Sequence, residues 1–326
     1  MNAGYCLFGA KAVADLLDRL LSQDVGVRVS EDIEYVHRMR VATRRLREAL
    51  PLFCECFYPA ELKKWMRAIK ALTRALGEAR DCDVQYDAVE RELENAALKN
   101  KPGIERLLLR LRQKRAGLQQ GVVKALDRFA ASATETAMLE RVRVLLGQSY
   151  IEEQVSGAES GEDGKKSDVQ AMQQKVLGFV KERIAYVMGF NELVRNPQNI
   201  TQLHEIRKGL KRLRYTLELF LPLYGERLEE QIKKIKTLQD ILGELHDCDV
   251  WLEWLPFFIE EEKERTLIYQ GHARGVSRIL RGLDFLCDTK RAIRIARHEA
   301  FLAAWDNMCE ARWWEDVLDS AANRSA

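Results

Sequence analysis

The chain has 326 residues, of which 47% are hydrophobic and 31% charged, with only six prolines. That length suits two domains, or one domain built of two similar halves, and the apolar share is ample for a real core. A formal net charge of +2, from 52 basic and 50 acidic residues, argues against indiscriminate coating of nucleic acid but leaves room for a local anion site.

Few β-branched runs and scarce proline make an all-α chain the expectation. Seven cysteines without paired spacing suit reduced cytoplasmic thiols better than a disulfide frame. The start, Met1 to Phe8, has neither the basic n-region nor the apolar h-region of a signal peptide. No apolar run approaches the roughly 20 residues of a membrane span, so a soluble, cytoplasmic protein with no membrane partner is expected.

From the N-terminus, Leu7, Val13, Leu16, Leu17, Leu20 and Leu21 describe an amphipathic helix, followed by a break over Ser22–Ser30. Ser30 ahead of Glu31 and Asp32 marks the start of a second helix, which runs to about Tyr58 before Pro59, with Pro51 bending its last turns. In this helix Met39, Ala42, Leu46, Leu50 and Phe53 share one face. His37, Arg40, Arg44 and Arg47, at i, i+3, i+7 and i+10, form a cationic stripe facing largely the other way, with Arg45 beside it. The next helix, from about Ala60, carries a second stripe of Lys63, Arg67, Lys70 and Arg74, with Trp65, Leu72 and Leu76 on its apolar side. The sequence Leu76-Gly77-Glu78-Ala79-Arg80-Asp81-Cys82-Asp83-Val84 reads as a loop. Helices over Val84–Leu98 and Ile104 to about Leu146 follow, divided at Lys101-Pro102-Gly103. Residues 152–168, rich in Gly, Ser and acids, read as a flexible linker.

The second half repeats the first. After a helix over about Val169–Val194 and a break at Arg195–Gln198, Leu203-His204-Glu205-Ile206-Arg207-Lys208-Gly209-Leu210-Lys211-Arg212-Leu213-Arg214 echoes the stretch from Val36 to Arg47. His204, Arg207, Lys211 and Arg214 form the stripe, with Lys208 and Arg212 alongside. Leu242-Gly243-Glu244-Leu245-His246-Asp247-Cys248-Asp249-Val250 echoes the loop. Lys233 and Lys236 match Arg67 and Lys70, whereas Asp240 stands for Arg74 and Glu229 for Lys63. The echoes define a first half over residues 1–150, a linker over 151–170, and a second half over 171–326 that ends in a basic helical extension.

Forked guanidinium donors and point-charge ammonium groups both suit phosphate oxygens. Cations three or four residues apart lie roughly 5 Å apart along a helix axis, which fits an extended polyanion better than one small ligand. Interleaved aromatics, which would stack on bases, are nearly absent: Tyr215 is the only one on either histidine stripe. His37 and His204 suit ligand contact and a bonded interior position equally well. The aspartates of the loops suit helix caps or arginine partners. His246-Asp247-Cys248-Asp249 lacks a second ligand pair, so no metal site is expected, and no cofactor or nucleophile motif appears.

The paired histidine stretches, each followed by its Leu-Gly-Glu-x-x-Asp-Cys-Asp-Val sequence, resemble the CHAD domain, the conserved histidine α-helical domain, from about residue 7 to about residue 310. The resemblance implies two similar four-helix bundles related by a pseudo-twofold axis around a basic groove or cavity. It also implies binding of inorganic polyphosphate, without catalysis, at polyphosphate granules. On that reading the ligand contacts are His37, Arg40, Arg44, Arg45, Arg47, Lys63, Arg67, Lys70, Arg74, His204, Arg207, Lys208, Lys211, Arg212, Arg214, Lys233 and Lys236. Some members carry a triphosphate-tunnel domain, of whose ExExK run this sequence has none. Glu48, on the first stripe, and Asp240 depart from an even basic row. The rival readings are a module for nucleic acid or another polyanion, disfavoured by the missing aromatics, and a phosphohydrolase, disfavoured by the lack of carboxylates placed for Mg²⁺. The sequence leaves oligomeric state open.

Overall fold

The computed structural model describes residues 3–156 and 162–322. Among them the regular elements are all helical: α1 (Ala3–Leu21), α2 (Asp24–Val29), α3 (Ile33–Leu52), α4 (Pro59–Asn95), α5 (Lys101–Ala131), α6 (Thr134–Ser156), α7 (Glu162–Met188), α8 (Ile200–Tyr224), α9 (Glu226–Gln270), α10 (Val276–Glu310) and α11 (Trp313–Ala322). Of the linker expected over 151–170, residues 157–161 lie outside the described residues, and the remainder is helical, as the end of α6 and the start of α7.

Several boundaries differ from the sequence reading. Asp32, not Ser30, caps α3: its carboxylate accepts the Glu34 backbone N–H at 2.8 Å. Ser30 instead closes the short α2 in a left-handed conformation. Helix α3 ends at Leu52, one residue past Pro51, and a 3₁₀ turn over Cys54–Cys56 follows. The chain breaks at Ser132 and Ala133, so α5 and α6 are separate helices. Both Leu-Gly-Glu segments lie inside continuous helices, α4 and α9, and are not loops. A glycine within a helix costs only about 1 kcal/mol, which the packing along these 37- and 45-residue helices outweighs. Cys6 and Cys56 form a disulfide, joining α1 to the 3₁₀ turn and correcting the expectation of reduced thiols at these two positions.

Contacts recur in the same order in both halves. Helix α1 packs on α3 and α6, α3 on α4, and α4 on α5; α7 packs on α8 and α11, α8 on α9, and α9 on α10. Across the halves α1 meets α7, α3 meets α8 and α5 meets α10, each helix touching its own counterpart, an arrangement consistent with twofold-related bundles. The main core runs through both halves. Phe8 stacks on Phe220 with ring centres 5.5 Å apart, and Phe53 meets Phe220 edge-on at 5.9 Å. Trp305, Trp313 and Trp314 pack inside this core. A second, smaller core joins the far ends of α4, α5, α9 and α10 through Val89, Leu107, Leu111, Trp251, Leu255 and Leu286.

Two glycines set the α5–α10 crossing. A Cβ on Gly103 would stand 2.1 Å from the Ile279 carbonyl oxygen, and one on Gly282 would stand 2.1 Å from that of Asn100. Because both obstacles are backbone, relief requires the helices to separate. Gly103→Ala is therefore expected to destabilise the chain by about 1–3 kcal/mol in denaturant unfolding. An unchanged midpoint would show that these helices do not meet there.

Candidate anion-binding site

The cleft lies where the two cores part. Helices α3 and α8 cross with their histidine stripes adjacent, and α4, α9 and α10 complete the walls of a cavity of about 640 Å³. Arg40 and Arg44 enter from α3, and His204, Arg207, Lys208 and Lys211 from α8. The lining also includes Arg91 and Lys290, giving seven Lys and Arg side chains against the four carboxylates of Asp81, Glu92, Glu244 and Asp247. Some of this charge is already paired: Arg40 with Asp81 at 3.1 Å, Lys290 with Glu92 at 2.9 Å, and Lys208 with Glu205 at 2.7 Å. Among the described residues no carboxylate lies within 4.0 Å of the Lys211 ammonium or the Arg44 and Arg207 guanidiniums, so the cleft keeps surplus positive charge.

The electrostatics follow from that surplus. Burial, then the nearby Arg207, Arg44, Arg40 and Arg214, bring Lys211 down to about 6. Burial also lowers Arg207, opposed by Asp247 and reinforced by Arg44 and Arg40. Asp247 is raised by burial and pulled back by Arg207 and Lys211. The His246 ring packs 4.2 Å from that of His204, and burial followed by Arg207 holds it at about 3, so it is neutral near pH 7. A recessed cluster in which cations outnumber carboxylates is unfavourable until an anion completes it.

The Gly-Glu segments support the cleft from below. Gly77 and Gly243 leave bare helix surface against which the Arg40 and Arg207 guanidiniums lie, with Nε 3.6 and 3.9 Å from where each Cβ would be. Asp81 then holds Arg40. The next aspartate in each half anchors the following helix, Asp83 to Arg115 at 2.6 Å and Asp249 to Arg294. The reading of these aspartates as arginine partners thus applies to Asp81, Asp83 and Asp249.

The other candidate residues are placed elsewhere. His37 sits by the Glu34–Arg80 pair; burial, then Arg80, lowers it. Arg45 pairs with Glu218 of α8 at 2.7 Å, and Arg214 is 3.6 Å from that carboxylate. Glu48, between Arg183 at 3.9 Å and Arg212 at 4.0 Å, serves the α3–α8 crossing and does not interrupt the cleft. Arg47 is half-buried, with its Nε unpartnered among the described residues. Lys63, Arg67, Lys70, Arg74, Lys233 and Lys236 are exposed and outside the cleft; Arg67 and Arg74 border a separate groove between α4 and α5. Asp81, Arg91, Glu92, His246, Asp247 and Lys290 are lining residues that the stripe pattern missed. The second echo was the signal for Asp81, His246 and Asp247; Arg91 and Glu92 carried none. Among the described residues no group of three His, Cys, Asp or Glu side chains is placed to hold a metal ion, and no helix is long and apolar enough to cross a membrane.

The fold and the cleft together define an all-α, internally duplicated chain with a recessed cationic site. A family model described as the CHAD domain matches residues 11–256, and the chain belongs to that family. Two uncharacterized proteins from two strains of Mycobacterium tuberculosis are each 28% identical over 248 residues, which is 75% of this chain and 44% of theirs. The chain thus spans less than half the length of these relatives. The crystal structure of the CHAD domain from the plant Ricinus communis aligns with a TM-score of 0.62 at 22% identity, covering 92% of this chain and 90% of that one. PptA from Streptomyces chartreusis aligns with a TM-score of 0.58 at 14% identity, covering 92% and 98%. At these identities the structural likeness speaks for the fold alone.

Proposed function

We propose that the chain binds inorganic polyphosphate in the α3–α8 cleft, without catalysis, and does so in the cytoplasm at polyphosphate granules. The observation that carries this reading is Lys211, recessed among Arg40, Arg44 and Arg207 with no carboxylate within 4.0 Å among the described residues. Such a cluster gains most from a ligand dense in charge and rich in acceptor oxygens. The family resemblance points to the same ligand. Nucleic acid fits less well, because among the described residues the cleft offers no exposed Phe, Tyr or Trp ring for a base: Trp251 is 4% exposed, and Tyr215 lies under Arg44, Arg45 and Arg214.

The test is competition between polyphosphate and single-stranded RNA for the purified chain at two salt concentrations. Polyphosphate is expected to displace RNA, and log affinity to fall with log salt at a slope near −4, or about 0.7 for each of roughly six neutralised phosphates. Preferential retention of RNA would select the nucleic-acid reading, and a slope near zero would exclude a polyanion ligand altogether.

A further inference from the structure

A groove of about 560 Å³ separates α4 from α5 on the outside of the first half. Its floor is small and apolar, with Ala68, Ala71 and Ala75 on α4 facing Gly117, Gly121 and Ala125 on α5. Among the described residues nothing lies within 4 Å of a Cβ built on Gly117 or Gly121, so the slot is open there. Lys64, Arg67, Arg74 and Arg128 border it, against one acid, Glu78. Small residues on two neighbouring helices let a third helix come close, and basic borders favour an acidic one.

The internal duplication provides a comparison. Aligning Gly77 with Gly243 and Gly103 with Gly282 puts Ile241 at Ala75, Lys234 at Ala68 and Phe301 at Val122, and the basic border becomes Glu230, Asp240 and Asn307 at Lys64, Arg74 and Arg128. The alanine row on α4 and three of the four basic border residues thus belong to the first half, while Lys233 keeps the charge of Arg67 and Ala296, Ala300 and Ala304 keep the α5 side small.

The chain itself presents the complement. On the outer face of α9, Glu253, Phe257, Glu260, Glu264, Leu267 and Ile268 fall at i, i+4, i+7, i+11, i+14 and i+15, one side of the helix. Phe257 is 69%, Leu267 55% and Ile268 77% exposed, which is unusual for side chains of this size on a single face. This face spans about 22 Å, and α4 from Lys64 to Glu78 about 21 Å. Length, sign of charge and apolar content all agree.

We propose that the acidic, apolar face of α9 in one copy docks into the α4–α5 groove of a second copy. The two surfaces differ, so the contact is head-to-tail and leaves each end free to continue. It does not rest on the polyphosphate reading and is tested without ligand. In sedimentation velocity of the full chain between about 1 and about 100 µM, the weight-average mass should rise above that of one chain, as for a contact with Kd in the tens of micromolar. Phe257→Glu with Ile268→Glu, or Gly121→Trp alone, should each abolish the rise. An equimolar mixture of these two variants should form a one-to-one complex and stop there, because only one intact groove and one intact face remain between them. Lys64→Glu with Arg128→Glu replaces Gly121→Trp should the latter fail to fold by circular dichroism. A wild-type chain monomeric throughout, folded variants that still associate, or a mixture that stays monomeric would each overturn the proposal. So would saturable binding of a long-chain fatty acid to a monomeric wild type that Gly121→Trp removes, which would assign the groove to an amphiphile.

Discussion

Exchanging Arg44 and Lys211 for Glu is expected to weaken polyphosphate binding by at least about 100-fold. Each cation loses a charge-assisted contact of about 1.5–3 kcal/mol, and two losses already exceed the roughly 2.7 kcal/mol that a 100-fold change requires, before repulsion is added. The two residues enter the cleft from α3 and α8, so both walls are altered. The fold should survive, because each new carboxylate lies beside Arg40 and Arg207 and relieves like-charge crowding. The control is reversal of Arg274, Arg278 and Arg281, which are exposed at Gly275 and the start of α10, outside the cleft. That triple variant lowers the net charge further than the double one, so a pure net-charge effect would make it the weaker binder. Titration calorimetry with polyphosphate of one chain length distinguishes the two. If the triple variant loses as much affinity as the double one, no dedicated site exists.

The sequence displayed the helices, the duplication and the cations that meet in the cleft, because all three are local periodicities. A stripe at i, i+3 and i+7 states that Arg40 and Arg44 share a face, and its echo states the same for Arg207 and Lys211. It does not state which polar face meets another helix and which meets solvent. Hence the stripe from Lys63 to Arg74 looked equivalent, although its side chains are exposed outside the cleft. Gly77 and Gly243 read as punctuation because a loop glycine and a glycine that carries a neighbour's guanidinium look alike in one dimension. Their role emerges only with Arg40 and Arg207 laid across them. The partners of Asp83 and Asp249 lie 32 and 45 residues further on, and those of Arg45 and Glu48 in the other half, beyond any local pattern. His37 and His204 look interchangeable in sequence. They diverge because Arg80 occupies the position that His246 takes in the second half, so His204 packs on a ring where His37 meets a guanidinium.

Lys211 makes the cleft sensitive to protons, and the sign can be worked out. Its folded-state value is lowered from 10.5 to about 6, by burial first and then by Arg207, Arg44 and Arg40. Between those pH values the unfolded chain holds more protons than the folded one, so the stability of the free protein should rise with pH across that window. Lys211→Met removes this contribution and should raise the free protein's melting temperature by a few degrees near pH 7, by an amount that shrinks as pH rises toward the unfolded-state value of 10.5, above which the ammonium is largely deprotonated in both states. A bound polyanion favours the ammonium form, so binding takes up a proton wherever Lys211 is neutral in the free chain. Affinity for polyphosphate should therefore tighten as pH falls from about 9 to about 7, a range above the ordinary histidine value of about 6.5, where His204 and His246 contribute little. Lys211→Met should bind more weakly at pH 7 and lose most of that pH dependence, while Lys211→Arg should bind well and also lose it, since a guanidinium stays charged throughout. Calorimetry in two buffers of different ionisation enthalpy reads the proton uptake directly. A wild-type chain that takes up no proton at pH 8, or a Lys211→Met chain that takes up as many, would show that the ammonium is already charged in the free cleft or is not where the ligand binds.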